Sequence, residues 1–144
     1  MKRKQMPELL IDTSGWGNLV DPTQSYHSLA SSLYRNARAR QDKTITTSYI
    51  IVELVALLTS PLRIPRPDII AFIEGVKRSP FIEIVYVDQT IDEAAWQLLR
   101  NRQDKDWSLV DCVSFVIMQE RKMAEALTTD HHFEQAGFIR LLKP

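Results

Sequence analysis

The sequence predicts an α/β protein, a three-layer α/β/α sandwich around a central, mainly parallel sheet. Three observations carry this. Short apolar runs suited to buried strands alternate with longer segments at helical spacing. Strands separated by helices need crossover connections, which cover both faces of the sheet. The composition is that of an ordinary globular domain, with 144 residues, 44% hydrophobic and 25% charged.

The elements follow in order. Leu9-Leu10-Ile11 suits a short buried strand, stopped by Asp12-Thr13-Ser14-Gly15. A helix runs from about Ser25 to Arg40, where Leu29, Leu33 and Ala37 repeat at helical spacing. Thr44-Ile45-Thr46 reads as a short strand. Ser48 to Leu58 is almost wholly apolar and long enough to be a helix buried on most of its face. Pro61, Pro65 and Pro67 end it, and Asp68 to Lys77 begins another helix. Phe81-Ile82-Glu83-Ile84-Val85-Tyr86-Val87, rich in β-branched and aromatic residues, is the clearest strand. Asp92 to Arg102 is helical, with Ala95, Leu98 and Leu99 on one face, and Trp107 to Met123 is a second apolar helix. Two late strands, Ala126-Leu127-Thr128-Thr129 and Phe138-Ile139-Arg140-Leu141-Leu142, enclose a short helix near Phe133.

This length suits one domain, taken as 1–144 with a core over about 9–142. One cysteine rules out an internal disulfide. The uncharged stretches 44–52, 107–110 and 112–119 are too short to span a bilayer. The chain starts Met1-Lys2-Arg3-Lys4, but Glu8 and Asp12 break the apolar run of a signal peptide, so a cytoplasmic protein is expected. With 18 basic and 18 acidic residues, net charge identifies no partner, and nucleic acid would be bound by a local patch.

Four acids stand where a core-building sequence has little use for them. Asp12 ends the first strand and Asp130 ends the Ala126–Thr129 strand. Glu53 is the only charge from Thr44 to Leu62, and Asp111 the only one from Trp107 to Gln119. In open α/β sheets ligands sit beyond the carboxyl ends of strands, where Asp12 and Asp130 lie. Each acid also has a structural use. Asp12 and Asp130 suit helix N-caps, and Ser108-Leu109-Val110-Asp111 has capping-box spacing. Glu53 lies too far past Ser48 to cap its helix, and burial among Ile50, Val52, Leu54 and Leu57 would cost several kcal/mol, roughly, without a partner. One joint explanation covers all four: carboxylates gathered in a pocket repel, and a divalent cation removes the penalty. Oxygen-rich sites of this kind select Mg²⁺ or Mn²⁺, the arrangement for metal-assisted phosphodiester hydrolysis.

Four blocks in order carry a family resemblance: Ile11-Asp12-Thr13-Ser14, Glu53 in its apolar helix, Trp107–Phe115 around Asp111, and Ala126-Leu127-Thr128-Thr129-Asp130-His131-His132-Phe133. Together they resemble the PIN-domain nucleases, especially the toxin-like (VapC-type) ribonucleases of toxin–antitoxin pairs. The resemblance implies a metal-dependent endoribonuclease with Asp12, Glu53, Asp111 and Asp130 as catalytic residues and ligands of Mg²⁺ or Mn²⁺. It also implies an RNA substrate, a cognate antitoxin protein and a homodimer. Glu134 is the candidate for a supplementary acid a turn after Asp130, and Asp106 is an outer candidate beside Lys105. Ser14 and Ser108 are candidate orienting hydroxyls, and Thr13 reads as structural.

His131 and His132 read as exposed turn residues, and Cys112 as inert packing. Gly15-x-Gly17 lacks the third glycine of a dinucleotide fingerprint. Arg35, Arg38, Arg63 and Arg66 are candidates for the RNA backbone, and Trp16 for packing on the neighbouring helix. Two rival functions are a noncatalytic RNA-binding module and an aspartate-based phosphatase or phosphoacceptor domain. Ser14, where a dehalogenase-like phosphatase needs a second Asp, counts against the last.

Overall fold

A computed structural model describes residues 7–144, and the basic start Met1-Lys2-Arg3-Lys4 lies outside them. The order is β1 (Glu8–Ile11), α1 (Thr13–Val20), α2 (His27–Ala39), β2 (Lys43–Thr47), α3 (Ser48–Thr59), α4 (Arg66–Arg78), β3 (Ile82–Val85), α5 (Gln89–Asn101), α6 (Leu109–Glu120), β4 (Glu125–Leu127), α7 (His132–Gln135) and β5 (Ile139–Arg140). The strands lie in the order β3-β2-β1-β4-β5, and the described pairings are all parallel.

Alternation along the strands sorts the core into two layers. Leu9 and Ile11 face one side, joining Trp16, Ala30, Ile50, Leu54 and Ile73 of α1 to α4. Leu10 and Ile45 face the other, joining Ala95, Val113, Phe115 and Phe133 of α5 to α7. The helices before β3 therefore cover one face and those after it the other. The chain leaves β1 toward β2 and β3, then returns to place β4 on the other side of β1. The gap between the carboxyl ends of β1 and β4 is the topological switch point, where open α/β sheets build their sites.

The largest departure from expectation is α1, where a strand-ending turn was predicted. Two glycines in Thr13-Ser14-Gly15-Trp16-Gly17-Asn18-Leu19-Val20 depress helix propensity by about 1 kcal/mol each. The N-cap at Asp12 and the burial of Trp16, 3% exposed, override them. Trp16 packs edge-on to Phe72 at 5.9 Å and donates to Thr46 Oγ1 at 3.1 Å, the packing role expected of it. The 81–87 strand is shorter than predicted because β2 offers Thr44–Thr47 as partners, and these pair with Ile82–Val85. Among the described residues no helix is long and apolar enough to cross a membrane.

Candidate active site

Asp12 follows the last residue of β1 and caps α1, so its carboxylate is pinned at the switch point. Its Oδ1 accepts from Gly15 N at 3.0 Å and Ser14 Oγ at 2.8 Å, and its Oδ2 from Thr128 Oγ1 at 2.7 Å. The residue is 8% exposed. Burial pushes its carboxyl up to about 6, while the bonds from Gly15, Thr128 and Ser14 pull it back and the negative charge of Asp130 adds to the rise.

The end of β4 is tied to the same carboxylate through two hydroxyls. Ser14 Oγ accepts from Thr129 N at 3.0 Å, and Thr128 Oγ1 accepts from Asp130 N at 2.9 Å. Each hydroxyl thus takes a backbone N–H of the β4 end and gives its own proton to Asp12. Thr128 is fully buried, and the sequence reading missed it. Its position directly after β4 and two residues before Asp130 was the available signal.

Asp111 occupies the first turn of α6 in a complete capping box: Ser108 Oγ accepts from Asp111 N at 3.0 Å, and Asp111 Oδ2 accepts from Ser108 N at 3.1 Å. Burial raises its pKa above the usual carboxylate range, against the hydrogen bonds from Ser108 and His132. His132 Nδ1 lies 3.0 Å from Asp111 Oδ2 and 3.3 Å from Asp130 Oδ1. Glu53 projects from α3 and accepts from Thr13 Oγ1 at 2.7 Å. It is exposed, not buried as its apolar neighbours suggested. The buried stripe of α3 is Ile50, Leu54 and Leu58, and Glu53 stands off it facing the open site. The expected desolvation cost therefore does not arise, and the hydroxyl of Thr13, taken as structural, lies on a site acid.

One cleft of about 500 Å³ gathers Asp12, Glu53, Asp111 and Asp130 together with Thr13, Ser14, Ser108, Asp106 and His132. Glu134 is not brought to it. Its carboxylate pairs with Arg140 Nε at 2.7 Å and Lys143 Nζ at 3.3 Å, which corrects the supplementary-acid expectation. His132, expected to be an exposed turn residue, is held in the cleft with its side chain 18% exposed, whereas that of His131 is 64% exposed. Its backbone N donates to Asp130 Oδ1 at 2.9 Å in an Asx turn, which folds the ring back over the acid. The Asp-x-His spacing was the signal. Arg38 stacks 3.8 Å over the Phe81 ring and donates to Asp42 O, both preceding strands at the end of the sheet away from the cleft, so an RNA-tracking role for it is not supported. Arg35, Arg63 and Arg66 are not among the cleft-lining residues. Cys112 is fully buried with its thiol pushed up to about 11 by burial, the inert packing expected.

The donor set suits a hard divalent cation. Five carboxylates, those of Asp12, Glu53, Asp106, Asp111 and Asp130, line one open space, and two of them, Asp12 and Asp111, are raised in pKa chiefly by burial, a penalty on negative charge that a cation relieves. The hydroxyls and backbone N–H groups that hold Asp12 and Asp111 fix the oxygens in direction, as orienting partners of metal ligands do.

Fold and site define an α/β domain whose working end is a carboxylate-lined cleft at the switch point of a parallel sheet. The chain belongs to the PIN domain family, which matches residues 9–139. It is 24% identical over 133 residues to the "23S rRNA-specific endonuclease VapC20" of Mycobacterium tuberculosis, in strain CDC 1551 / Oshkosh and in strain H37Rv, covering 92% of this chain and 97% of each relative. The crystal structure of Mycobacterium tuberculosis VapC20, described as a Sarcin-Ricin loop cleaving toxin, superposes with a TM-score of 0.80 at 23% identity. That likeness covers 91% of this chain and 96% of the other, and it shows a shared fold.

Proposed function

We propose that this chain is a metal-dependent endoribonuclease that hydrolyses RNA phosphodiester bonds and acts as the toxin of a toxin–antitoxin pair. The observation that carries the reading is the convergence of four acids, 12, 53, 111 and 130 in sequence, on one cleft of a PIN domain. Asp12, Glu53, Asp111 and Asp130 hold Mg²⁺ or Mn²⁺, with Ser14 and Thr128 orienting Asp12 and Ser108 orienting Asp111. The cation supplies charge stabilisation at the attacked phosphate and a reactive water at neutral pH. No side chain serves as nucleophile.

The rival readings fare worse against the same geometry. A noncatalytic RNA binder would aim four carboxylates at phosphate, which repels it. A dehalogenase-like phosphoacceptor needs a second Asp two residues after Asp12, where this chain has Ser14, whose hydroxyl is bound to Asp12 Oδ1. The names of the relatives make ribosomal RNA the first substrate to test. The family resemblance supports an antitoxin protein as partner, a homodimer and a cytoplasmic setting.

The test is cleavage of labelled ribosomal RNA by wild type and Asp12→Asn, purified identically and assayed with Mg²⁺, Mn²⁺ or EDTA. Cuts that need the cation and disappear in the variant, with a loss of at least about a hundredfold, support the proposal. Equal cleavage by both proteins would sink it. Expression of wild type should arrest growth where Asp12→Asn does not.

A further inference from the structure

The imidazole of His132 is placed where the proposed carboxylate ligands leave room for a nitrogen. Its Nδ1 stands 3.0 Å from Asp111 Oδ2 and 3.3 Å from Asp130 Oδ1. Neighbouring donors of an octahedral ion bonded at about 2.1 Å lie about 3 Å apart, so this spacing is that of adjacent ligands as well as of hydrogen bonds. The backbone that carries the ring is held and the side chain is largely covered. The backbone N of His132 is bound to Asp130 Oδ1 at 2.9 Å, and its side chain is 18% exposed. Asp130, His131 and His132 can offer ligand atoms within 4.8 Å of one another, but His131 is 64% exposed and lies outside the cleft lining.

We infer that His132 is a metal ligand, completing with Asp111 and Asp130 a mixed nitrogen–oxygen site that binds Mn²⁺ in preference to Mg²⁺. The inference rests on the reading of the cleft as a cation site and adds which side chain selects the ion. Mg²⁺ demands oxygen donors and keeps its waters, whereas imidazole nitrogen suits first-row transition cations. Binding through Nδ1 requires the tautomer with its proton on Nε2, so that the Nδ1 lone pair faces the ion.

The experiment is pulsed electron paramagnetic resonance on full-length protein carrying one equivalent of Mn²⁺, for wild type, His132→Gln and His131→Gln. Calorimetric titrations with Mn²⁺ and with Mg²⁺ accompany it. Directly bound imidazole should give ¹⁴N modulation in wild type and His131→Gln that is absent in His132→Gln. His132→Gln should weaken Mn²⁺ binding about tenfold or more, the scale on which metal sites respond to lost support, and change Mg²⁺ binding less than about twofold. Absence of nitrogen coupling in Mn²⁺-loaded wild type overturns the inference whether or not the variant folds. So does equal weakening of both ions, which would make His132 a positioning residue for Asp111. Failure of the nuclease reading is a separate result: nitrogen coupling present, RNA uncut.

Discussion

Asp12 is pulled in two directions. Three hydrogen bonds favour its anion, yet burial outweighs them and lifts the carboxyl from 3.8 to about 6. The folded, metal-free protein therefore holds this proton more tightly than the unfolded chain does. Stability from this group is full below about 4 and is lost as pH rises through about 6. At neutral pH in EDTA the buried anion costs on the order of 2–3 kcal/mol. Asp12→Asn removes the charge and keeps an acceptor for Gly15 N, and the amide can donate to Thr128. In EDTA at pH 7.5 the variant should be more stable than wild type by about 1 kcal/mol, read as a thermal midpoint higher by about 2–4 °C. The difference should vanish near pH 4.5, and Mn²⁺ should raise the midpoint of wild type alone. If the variant were no more stable than wild type in EDTA, the two hydroxyls would already cover the charge.

The element that aims this site is α1, the one the sequence concealed. Residues 9–11, the apolar α3 and α6, and the position of Asp12 directly after β1 were legible because hydrophobic periodicity and isolated charges are local signals, whereas Asp130, expected to end a strand over 126–129, lies three residues past the end of β4 at Leu127. The helix Thr13–Val20 was not legible, because the property that makes Gly15 necessary is tertiary. A Cβ there would meet Leu127 O at 2.0 Å and Ile11 Cγ2 at 2.9 Å, so only glycine lets the first turn of α1 press against the end of β4. That approach brings Ser14 to Asp12 and to Thr129 N. The orientation of Glu53 was hidden for a related reason: a sequence shows that its neighbours are apolar, not that the space beside them is an open cleft. Gly15→Ala should cost about 1–3 kcal/mol by overpacking, checked by urea unfolding, and lower RNA cleavage at least about tenfold. Gly75→Ala in α4, where nothing lies within 4 Å of the added carbon, should instead stabilise by about 0.5–1 kcal/mol. Cleavage should be unchanged there. Equal effects of the two substitutions would refute the aiming role of α1.

At the scale of the whole molecule, a parallel sheet has two unlike ends, and this protein uses them for opposite purposes. Among the described residues, acids with no lysine or arginine partner collect beyond the carboxyl ends of β1 and β4. The amino ends carry a closed ion network instead: Arg121, just past α6, binds Glu8 of β1 at 3.0 Å and also Glu83 of β3, which in turn pairs with Lys43 of β2. Two acids cancel two bases there, and the network ties three neighbouring strands to α6. The hydrogen bond from Arg121 holds the Glu83 carboxyl below its ordinary value, with Lys43 adding to the effect. Its stabilisation is therefore present above the unfolded carboxylate pKa, about 4.3, and is lost as pH falls through the lower folded value. Glu83→Gln should destabilise by about 1 kcal/mol at pH 7, discounted for the partial exposure of the pair. The deficit should shrink at pH 3 and in 1 M salt, where the charge is neutralised or screened. Because the network lies at the far end of the strands, the variant should cleave RNA at the wild-type rate at temperatures where it remains folded. Chemical unfolding at pH 7 and pH 3, run beside the cleavage assay, separates the two ends. A stability loss with full activity supports the division, and an activity loss larger than the unfolded fraction would show that the ends are coupled through the sheet.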